Sequence, residues 1–333
     1  MFFRTIPLHG KNPYYYSSLD AGFRAKRVEE LILEGKSKNE LSLEYMKKIQ
    51  CDVKSLLAER LVKYILQVAN NRNDLVKKWG IEGTIDVLKK WHYYLYSGVD
   101  HGSRKYDNQE KFESVAASIF SIWWREFVNI VLSDEVEYYN VPFPDADFPA
   151  RQILIILHIL EDSPSTITSY NPVYGDSDLF DDLRTPDIRE TRDYDILKAL
   201  KYAVDNGEKL FSSKDMDTWN WGKIHRLLMI DPFVADLRGL FSTDGGEYTV
   251  NLASTIAGFL NQPVFIQVAG PSMRMVVSMD KKGVNVELSL PGANGVYRKD
   301  NDLFNYWWEC RYVKVKFTGD EKYGKIQFIL EPY

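Results

Sequence analysis

This sequence of 333 residues contains few cysteines, no long apolar run and no excess of positive charge. Its two cysteines, Cys51 and Cys310, stand far apart in the chain and form no CxxC or CxxH spacing, so we expect neither a disulfide framework nor a structural zinc site. The longest apolar run, from Ile153 to Leu160, contains His158 and is far shorter than the roughly 20 residues that cross a bilayer. Acidic residues number 47 against 42 Lys and Arg residues, a balance unlike the basic footprint of a nucleic-acid binder. The sequence thus predicts no nucleic-acid partner and no membrane insertion.

The beginning of the sequence also lacks an export signal. Residues 1–7, Met-Phe-Phe-Arg-Thr-Ile-Pro, contain no apolar stretch of signal-peptide length, so the cytoplasm is the default expectation. With 45% hydrophobic and 27% charged residues, the composition is that of a globular protein with a real core. A chain of this length corresponds to about two domains.

Apolar residues repeat with a helical period from about residue 20 to residue 221. Their spacing of three and four positions predicts amphipathic helices over Val53–Val68, Phe112–Ile130 and Ile196–Val204. We expect the last of these helices to end near Asn206-Gly207, because glycine commonly follows the last helical turn.

Two local signals mark boundaries within the helical part. Ser37 followed by Glu40 has the spacing of a capping box and predicts the start of the helix that carries Leu41 and Ile49. Residues 162–195 are rich in Asp, Ser, Pro and Thr, which predicts a long surface excursion with little regular structure.

The apolar period changes to two after about Phe241. Alternation with polar residues predicts strands over Val284–Leu290 and Val313–Phe317. Further strands, separated by Gly-Pro, Lys-Lys-Gly and Gly-Asp turn signals, are predicted over Val264–Ala269, Met273–Met279 and Lys325–Glu331. The sequence therefore predicts an α+β protein, with a mainly helical region over residues 1–239 and a mainly antiparallel sheet over residues 240–333.

Standard catalytic motifs are missing from the sequence. It contains no Gly-x-Ser-x-Gly elbow, no Gly-rich phosphate loop and no His-Glu-x-x-His helix. Gly175-Asp176-Ser177-Asp178 nearly matches the Gly-Asp-Ser-Leu block of one esterase class, but no buried strand precedes it. Together with Asp181 and Asp182, the same segment forms an acidic cluster that lacks the glycine and glutamate of a calcium-binding loop. We interpret it as a solvated acidic loop.

Two single residues are candidates for chemistry on their own. His225, one of five histidines, follows two tryptophans and a glycine and is either a general base or, more commonly in such a setting, a hydrogen-bonded core residue. Arg24 presents a fork of donors that suits a carboxylate or a side-chain carbonyl. Ion pairing within the helix, for example of Arg27 with Glu30, is the default role for this charged run.

Short blocks in a fixed order carry a resemblance to a known family. Their ranges are 24–31, 49–55, 88–91, 180–193, 219–225, 245–251, 270–274 and 290–295. The most specific are Trp-x-Trp-Gly-x-x-His at 219–225, Gly-x-x-x-Thr-Val-Asn at 245–251 and Gly-Pro-Ser-x-Arg at 270–274. Together they resemble the C-terminal part of the β subunit of the penicillin acylases (penicillin amidases), which are N-terminal nucleophile hydrolases. The last block departs from the family, because Pro-Gly-Ala-Asn-Gly stands where Pro-Gly-Gln-Ser-Gly is usual.

The resemblance implies a fold and a reaction. The family fold is a four-layer αββα sandwich, and the reaction is hydrolysis of a linear amide in a β-lactam side chain, an acyl-homoserine lactone or another N-acyl compound. The nucleophile is a serine at the N-terminus of the β subunit, released by self-cleavage, and its own α-amino group, with a pKa of about 8, serves as the base. A backbone N–H and an asparagine side chain stabilise the oxyanion.

Most of this machinery has no counterpart among these residues. The nucleophile would lie well upstream of Arg24, and Met1-Phe2-Phe3-Arg4 occupies the register of the oxyanion asparagine, where phenylalanine cannot donate a hydrogen bond. Only Arg24 carries over, with the implied role of positioning that asparagine and meeting a substrate carboxylate; a purely structural role is the alternative. No cofactor is implied for this chain, since the family's structural calcium would need carboxylates from the upstream part.

Three hypotheses follow for the function. In the first, the chain is the C-terminal portion of a penicillin-acylase-like amidohydrolase, inactive alone and completed by a polypeptide that comprises the α subunit and the start of the β subunit. In the second, it is a non-catalytic remnant that serves as a structural or binding protein, and a homo-oligomer fits this reading. An autonomous hydrolase that uses His225 or the Asp176 cluster is the third reading.

Overall fold

The computed structural model describes residues 21–141, 150–231, 236–257, 265–280, 283–291, 302–320 and 325–331. The helices are α1 (Phe23–Lys38), α2 (Leu43–Gln50), α3 (Leu56–Asn71), α4 (Asn73–Trp79), α5 (Glu82–Lys90), α6 (Asn108–Tyr138), α7 (Ala150–Glu161), α8 (Arg192–Phe211), α9 (Trp221–Ile224) and α10 (Asp302–Trp308). The strands are β1 (Tyr170–Asn171), β2 (Asp176–Ser177), β3 (His225–Asp231), β4 (Asp236–Ser242), β5 (Ser254–Ala257), β6 (Phe265–Ala269), β7 (Arg274–Asp280), β8 (Gly283–Ser289), β9 (Val313–Asp320) and β10 (Lys325–Glu331). The predicted α+β class is confirmed.

The chain forms two compact units, and the first, which includes Leu56–Tyr93 and Val115–Trp219, is helical. The three predicted amphipathic helices are present as α3, α6 and α8. Helix α3 buries residues every three or four positions, including Leu57, Leu61 and Ile65, and packs on α8 and α5. The excursion after α7 contains short 3₁₀ turns and the two-residue strands β1 and β2, as its composition predicts, until α8 begins at Arg192.

Helix α6 is the longest helix among the described residues. By length and composition it is long and apolar enough to cross a membrane, and it is the one helix of the described chain that meets this test. The protein itself buries 67% of its apolar window, as expected of a helix in a protein core. The absence of membrane insertion stays a prediction.

The second unit, which includes Arg24–Ser55, Tyr94–Ser114 and the described residues from Asn220 onward, contains two four-stranded sheets. One has the order β4-β3-β6-β5, in which β3 and β6 are parallel and the other neighbours antiparallel. The other has the order β10-β9-β8-β7 and is antiparallel throughout. The strands predicted after residue 240 are therefore divided between two sheets, because a period of two identifies strands but does not say which strands pair.

Two predicted helix boundaries are also wrong, each for a local reason. Ser37 lies inside α1, where its hydroxyl donates to the Glu34 carbonyl, and the cap of α2 is Ser42, whose side chain accepts from the backbone N–H of Tyr45. Helix α8 does not end at Gly207 but continues to Phe211. Gly207 is needed there for a different reason, because a Cβ atom at this position would lie 2.5 Å from the indole of Trp219.

Candidate functional site

Arg24, the residue that the resemblance singles out, lies in the first turn of α1 and is half-buried. Its Nε donates to the carbonyl of Thr249 at 3.1 Å, and its Nη2 donates to the carbonyl of Val250 at 3.3 Å. The side chain thus fastens α1 to the Thr-Val-Asn block, 225 residues away in the sequence. Because neutral carbonyls and not carboxylates hold the guanidinium, its positive charge is not cancelled by these contacts.

The segment that receives Arg24 is a tight loop closed by its own hydrogen bonds. The Thr249 hydroxyl donates to the Asn251 carbonyl at 2.7 Å and accepts from the backbone N–H of Gly246 at 3.0 Å. Gly245 has φ of 94°, and a Cβ atom there would lie 2.3 Å from the Asn251 carbonyl oxygen. Only glycine fits this position. The Trp221 indole donates to the Gly245 carbonyl at 2.9 Å, so the block at residues 219–225 is hydrogen-bonded to this loop.

Arg27, one turn after Arg24, makes a two-pronged ion pair with Asp52. Both hydrogen bonds are 2.9 Å long, and the two side chains are only 10% and 9% exposed. Although burial disfavours the charged guanidinium, the hydrogen bonds and negative charge of Asp52 raise the pKa of Arg27 above its ordinary value. The pairing with Glu30 that the spacing predicts is also present, at 3.5 Å. The Asp52 carbonyl in turn accepts from the backbone N–H of Asn251 at 2.9 Å.

Gln50 and Arg274 extend this network to the antiparallel sheet. Gln50 donates to the Met275 carbonyl at 3.0 Å and accepts from the Tyr312 hydroxyl at 2.7 Å. The buried Arg274 donates to the Asn251 side-chain oxygen at 2.7 Å and to the Trp307 carbonyl at 2.9 Å. Burial lowers the pKa of Arg274 to about 10. Sequence reasoning placed these residues in the right blocks but assigned them no partners, since hydrogen bonding between distant blocks leaves no trace in local spacing.

Cys51 and Cys310 are joined by a disulfide, with their Cα atoms 6.1 Å apart. The expectation that these cysteines form no such bond is therefore wrong. Short spacing motifs detect only cysteines that are close in the sequence, whereas here the end of α2 and the turn after α10 bring together residues 259 positions apart. Among the described residues, no group of three or more His, Cys, Asp or Glu side chains could hold a metal ion.

His225 lies at the start of β3 and is completely buried. Its ring stacks on Trp221 with a centroid distance of 4.5 Å, and its Nδ1 lies 3.0 Å from the Thr243 carbonyl, a contact that requires an N–H on this nitrogen. Burial lowers the pKa of His225 to about 4, so the ring is neutral at physiological pH. These contacts are those of a core histidine, the more common of the two roles weighed for it.

The acidic segment of the first unit is organised around one arginine. Carboxylate oxygens of Asp176, Asp178 and Asp181 lie 3.0, 3.3 and 3.0 Å from the guanidinium of Arg189. Asp182 makes a separate pair with Arg184. The structure thus brings the four aspartates together as partners of arginines in an irregular surface segment, where Asp178 is 56% exposed.

Ser177, the serine of the Gly-Asp-Ser-Asp segment, is buried. Its hydroxyl lies 2.6 Å from the hydroxyl of Ser169 and accepts from the backbone N–H of Leu179. Among the described residues, none of its hydrogen-bond partners is a histidine or a carboxylate that could serve as its base, and a serine inside the chain has no α-amino group of its own to do so. Residues 1–4, which occupy the register of the oxyanion asparagine, and residues 292–295 of the last block lie outside the described residues.

The arrangement around Arg24 is suited to positioning and not to bond cleavage by itself. It supplies fixed backbone carbonyls, a guanidinium whose charge is not neutralised by its hydrogen-bond partners and a rigid loop, and all of these belong to the second unit. A guanidinium so placed can orient a side-chain carbonyl or bind a carboxylate.

Comparison with known proteins agrees with this geometry. The chain matches the penicillin amidase family model over residues 5–322. It is 24% identical over 343 residues to an acyl-homoserine lactone acylase QuiP of Pseudomonas fluorescens strain Pf0-1, a match that covers 99% of this chain and 38% of that protein. A QuiP of Pseudomonas syringae pv. syringae strain B728a is 26% identical over 251 residues, or 68% of this chain and 27% of that protein. The chain therefore spans less than two fifths of the length of these relatives, and by its match to the family model it belongs to the penicillin amidase family.

Proposed function

We propose that this chain is the C-terminal portion of a penicillin-amidase-type hydrolase that cleaves linear amide bonds of N-acyl compounds. The observation that carries the proposal is that the family's blocks at residues 24–31, 49–55, 245–251 and 270–274 form one hydrogen-bonded network. The relatives named acyl-homoserine lactone acylases favour an N-acyl homoserine lactone as the substrate, and the side-chain amide of a β-lactam is the alternative.

In this proposal, polypeptide outside this sequence supplies the groups that break the bond. These are the N-terminal serine, its α-amino group and the oxyanion asparagine, and the ligands of any structural calcium come from the same part. Arg24 then has the role of a positioning residue, because its guanidinium is fixed on the Thr249 and Val250 carbonyls and can orient the asparagine. The chain alone is inactive.

An exposed apolar face supports the need for additional polypeptide. Met275, Val277 and Met279 of β7 share one face of the sheet with Val284 of β8, since Met279 pairs with Val284. Their exposures are 45%, 41%, 77% and 53%. Strand β7 is also the last strand of its described sheet. A contiguous apolar face on the last strand of a described sheet is typical of a surface that another polypeptide covers.

The proposal is tested by co-expressing the chain with the polypeptide that comprises the α subunit and the start of the β subunit of the cognate enzyme. We expect a co-purifying complex that hydrolyses an N-acyl homoserine lactone, while the chain alone releases no product. Turnover by the chain alone would contradict the proposed supply of the nucleophile from outside. A stable chain that forms neither complex nor activity with the cognate piece would favour the non-catalytic remnant, and its mass in solution would then show whether it is a homo-oligomer.

Substitution of Arg24 distinguishes the two roles that the resemblance gives it. In the active complex, Arg24→Lys should lower kcat about tenfold or more with little change in KM if the residue orients the oxyanion asparagine, because that asparagine acts mainly in the transition state. A rise in KM at constant kcat would instead indicate contact with a substrate carboxylate. Arg72→Lys, at an exposed pair in the first unit, is the control.

A further inference from the structure

A cavity of about 400 Å³ opens in the second unit beside strand β4. The loop at residues 99–102, strands β3 and β4 and helix α10 form its lining. Two aromatic rings of this lining, Phe241 and Trp308, pack edge to face with centroids 5.2 Å apart. The ring of His101 stacks on Trp308 at 4.2 Å and is fixed by a contact of 3.0 Å between its Nδ1 and the Val99 carbonyl. One wall of the cavity is therefore aromatic.

Arg226 of β3 supplies the positive charge of the cavity. Its Nη2 donates to the Leu240 carbonyl at 2.7 Å, and its buried Nε has no hydrogen-bond partner among the described residues. Burial lowers the pKa of Arg226, and no described acidic side chain acts on it in the opposite direction. Asp100 also lines the cavity, but it accepts from the backbone N–H of Tyr106 and lies 3.7 Å from Lys105. Arg226 is thus a half-buried cation with no acidic partner among the residues that the structure describes.

A guanidinium in this position is poorly compensated within the described protein. Removing an unpaired charge from water is costly, and an anion that enters the cavity would restore the missing partner. A carboxylate matches the planar fork of an arginine and accepts two parallel hydrogen bonds from it. The aromatic wall adds stacking area for a flat apolar group, and the cavity volume lies within the range of small-ligand sites.

We propose that this cavity binds a small organic carboxylate, with the carboxylate on Arg226 and the apolar part against Phe241 and Trp308. The combination of a single cation and an aromatic wall favours an organic acid over a bare inorganic anion. The proposed site consists of residues of this chain alone, and its test measures ligand binding and not amide hydrolysis. Its test therefore succeeds or fails independently of the proposed amide hydrolysis.

Benzoate and benzamide are suitable probes, because they have the same shape and differ in charge. We expect the purified chain to bind benzoate at millimolar concentration, detected by saturation-transfer NMR and isothermal titration. Benzoate should bind at least tenfold more tightly than benzamide, since hydrogen bonds between charged groups are stronger than those to a neutral amide. Equal binding of the two probes, or no benzoate binding at millimolar concentration, would overturn the proposal.

A pair of variants locates the binding. Arg226→Met keeps an unbranched stem without the charge and should weaken benzoate binding at least tenfold while leaving benzamide binding within about twofold. Lys223→Met removes an exposed cation three residues earlier, outside the lining, and should leave both affinities unchanged. Circular dichroism checks that each variant is folded. Benzoate binding that survives in folded Arg226→Met, or that is lost equally in Lys223→Met, would refute the assignment.

Discussion

Two aspartate–arginine pairs in this protein have the same geometry but different surroundings. The Asp52 pair with Arg27 is buried, whereas the Asp74 pair with Arg72 is 63% and 37% exposed. Breaking a buried pair leaves an uncompensated charge, so Asp52→Asn should lower the free energy of unfolding by about 2–4 kcal/mol. The matched change Asp74→Asn should have a much smaller effect, because water replaces the lost contact. Urea denaturation of both variants checks this, and similar losses would contradict the role assigned to Asp52.

Asp195 in α8 makes stability dependent on pH. Its side chain is buried, and one of its carboxylate oxygens has no described hydrogen-bond partner. Burial raises the pKa of Asp195 to about 8, although the charge of Lys198 partly opposes this shift. The negative charges of Glu190, Asp182 and Asp134 raise the pKa further. The folded chain therefore favours the protonated form. The stability that this form contributes is complete below pH 4, near the ordinary pKa of 3.8, and is lost as the pH rises through about 8.

Asp195→Asn removes this dependence, because the amide stays neutral at every pH. We expect the variant to be more stable than the parent by about 1–3 kcal/mol at pH 9, and to differ little from it at pH 4. Asp205→Asn, at a partly exposed pair in the same helix, is the control and should show the parent's pH dependence. Urea midpoints measured between pH 4 and pH 9 decide the matter. A variant that is less stable than the parent at pH 9 would show that the carboxylate is charged and satisfied.

At the scale of elements, α8 packs against Trp219 at Gly207, and this contact leaves no room for a side chain at that position of the helix. Alanine is favoured over glycine inside a helix by about 1 kcal/mol. In Gly207→Ala the new Cβ atom would lie 2.5 Å from the buried indole of Trp219, and we expect the resulting overpacking to prevail with a net loss of about 1–3 kcal/mol. Gly83→Ala in α5 is the control, since the flexible end of Met216 at 3.3 Å is its nearest neighbour. The melting temperature should fall for the first variant and hold or rise for the second.

The same contact shows which features of the elements can be predicted from sequence. Periodicity located α3, α6, α8 and the strands after β5, because each buries one face and polar residues occupy the other. It failed where a residue serves a distant partner. The sequence around Gly207 resembles a helix end, but this glycine lies inside α8 and leaves space for the indole of Trp219. Ser37 resembles a helix cap but lies inside α1, and Ser42 caps α2 instead. The pairing of β3 with β6 and the division into two sheets depend on contacts that no local pattern records.

The candidate site was predictable in part for the same reason. The block at residues 24–31 and the Thr-Val-Asn block could be recognised as members of an ordered series of blocks, because several short patterns in a fixed order are more specific than any one of them. The hydrogen bonds through Arg24, Asp52 and Asn251 that join these blocks could not be predicted. Every residue has a backbone carbonyl, so the sequence does not show which carbonyl accepts a given hydrogen bond. The cavity at Arg226 was missed entirely, because the sequence does not distinguish an arginine that lacks an acidic partner from any exposed arginine.

At the scale of the whole molecule, the disulfide between Cys51 and Cys310 closes a covalent loop over 259 positions. Its two cysteines flank the network of Arg24, since Cys51 lies between Gln50 and Asp52, and Cys310 lies just before Tyr312, which donates to Gln50. Disulfides persist in oxidising compartments, whereas reduction prevails in the cytosol. The compartment in which the chain folds therefore determines whether this loop is closed.

Removal of the bond should destabilise the folded chain substantially. The bond spans 259 positions, and a cross-link over so long a loop restricts the unfolded chain by an amount corresponding to about 5.6 kcal/mol in the chain-entropy treatment. Measured effects are usually smaller, so we expect Cys51→Ser with Cys310→Ser to lower the free energy of unfolding by about 2–5 kcal/mol. Dithiothreitol should bring the parent chain to the stability of the double variant and leave the variant unchanged. Thiol labelling of the denatured parent should find no free thiol before reduction and two after it. Two free thiols before reduction would contradict the disulfide between α2 and the turn after α10. A double variant as stable as the oxidised parent would contradict its contribution to stability.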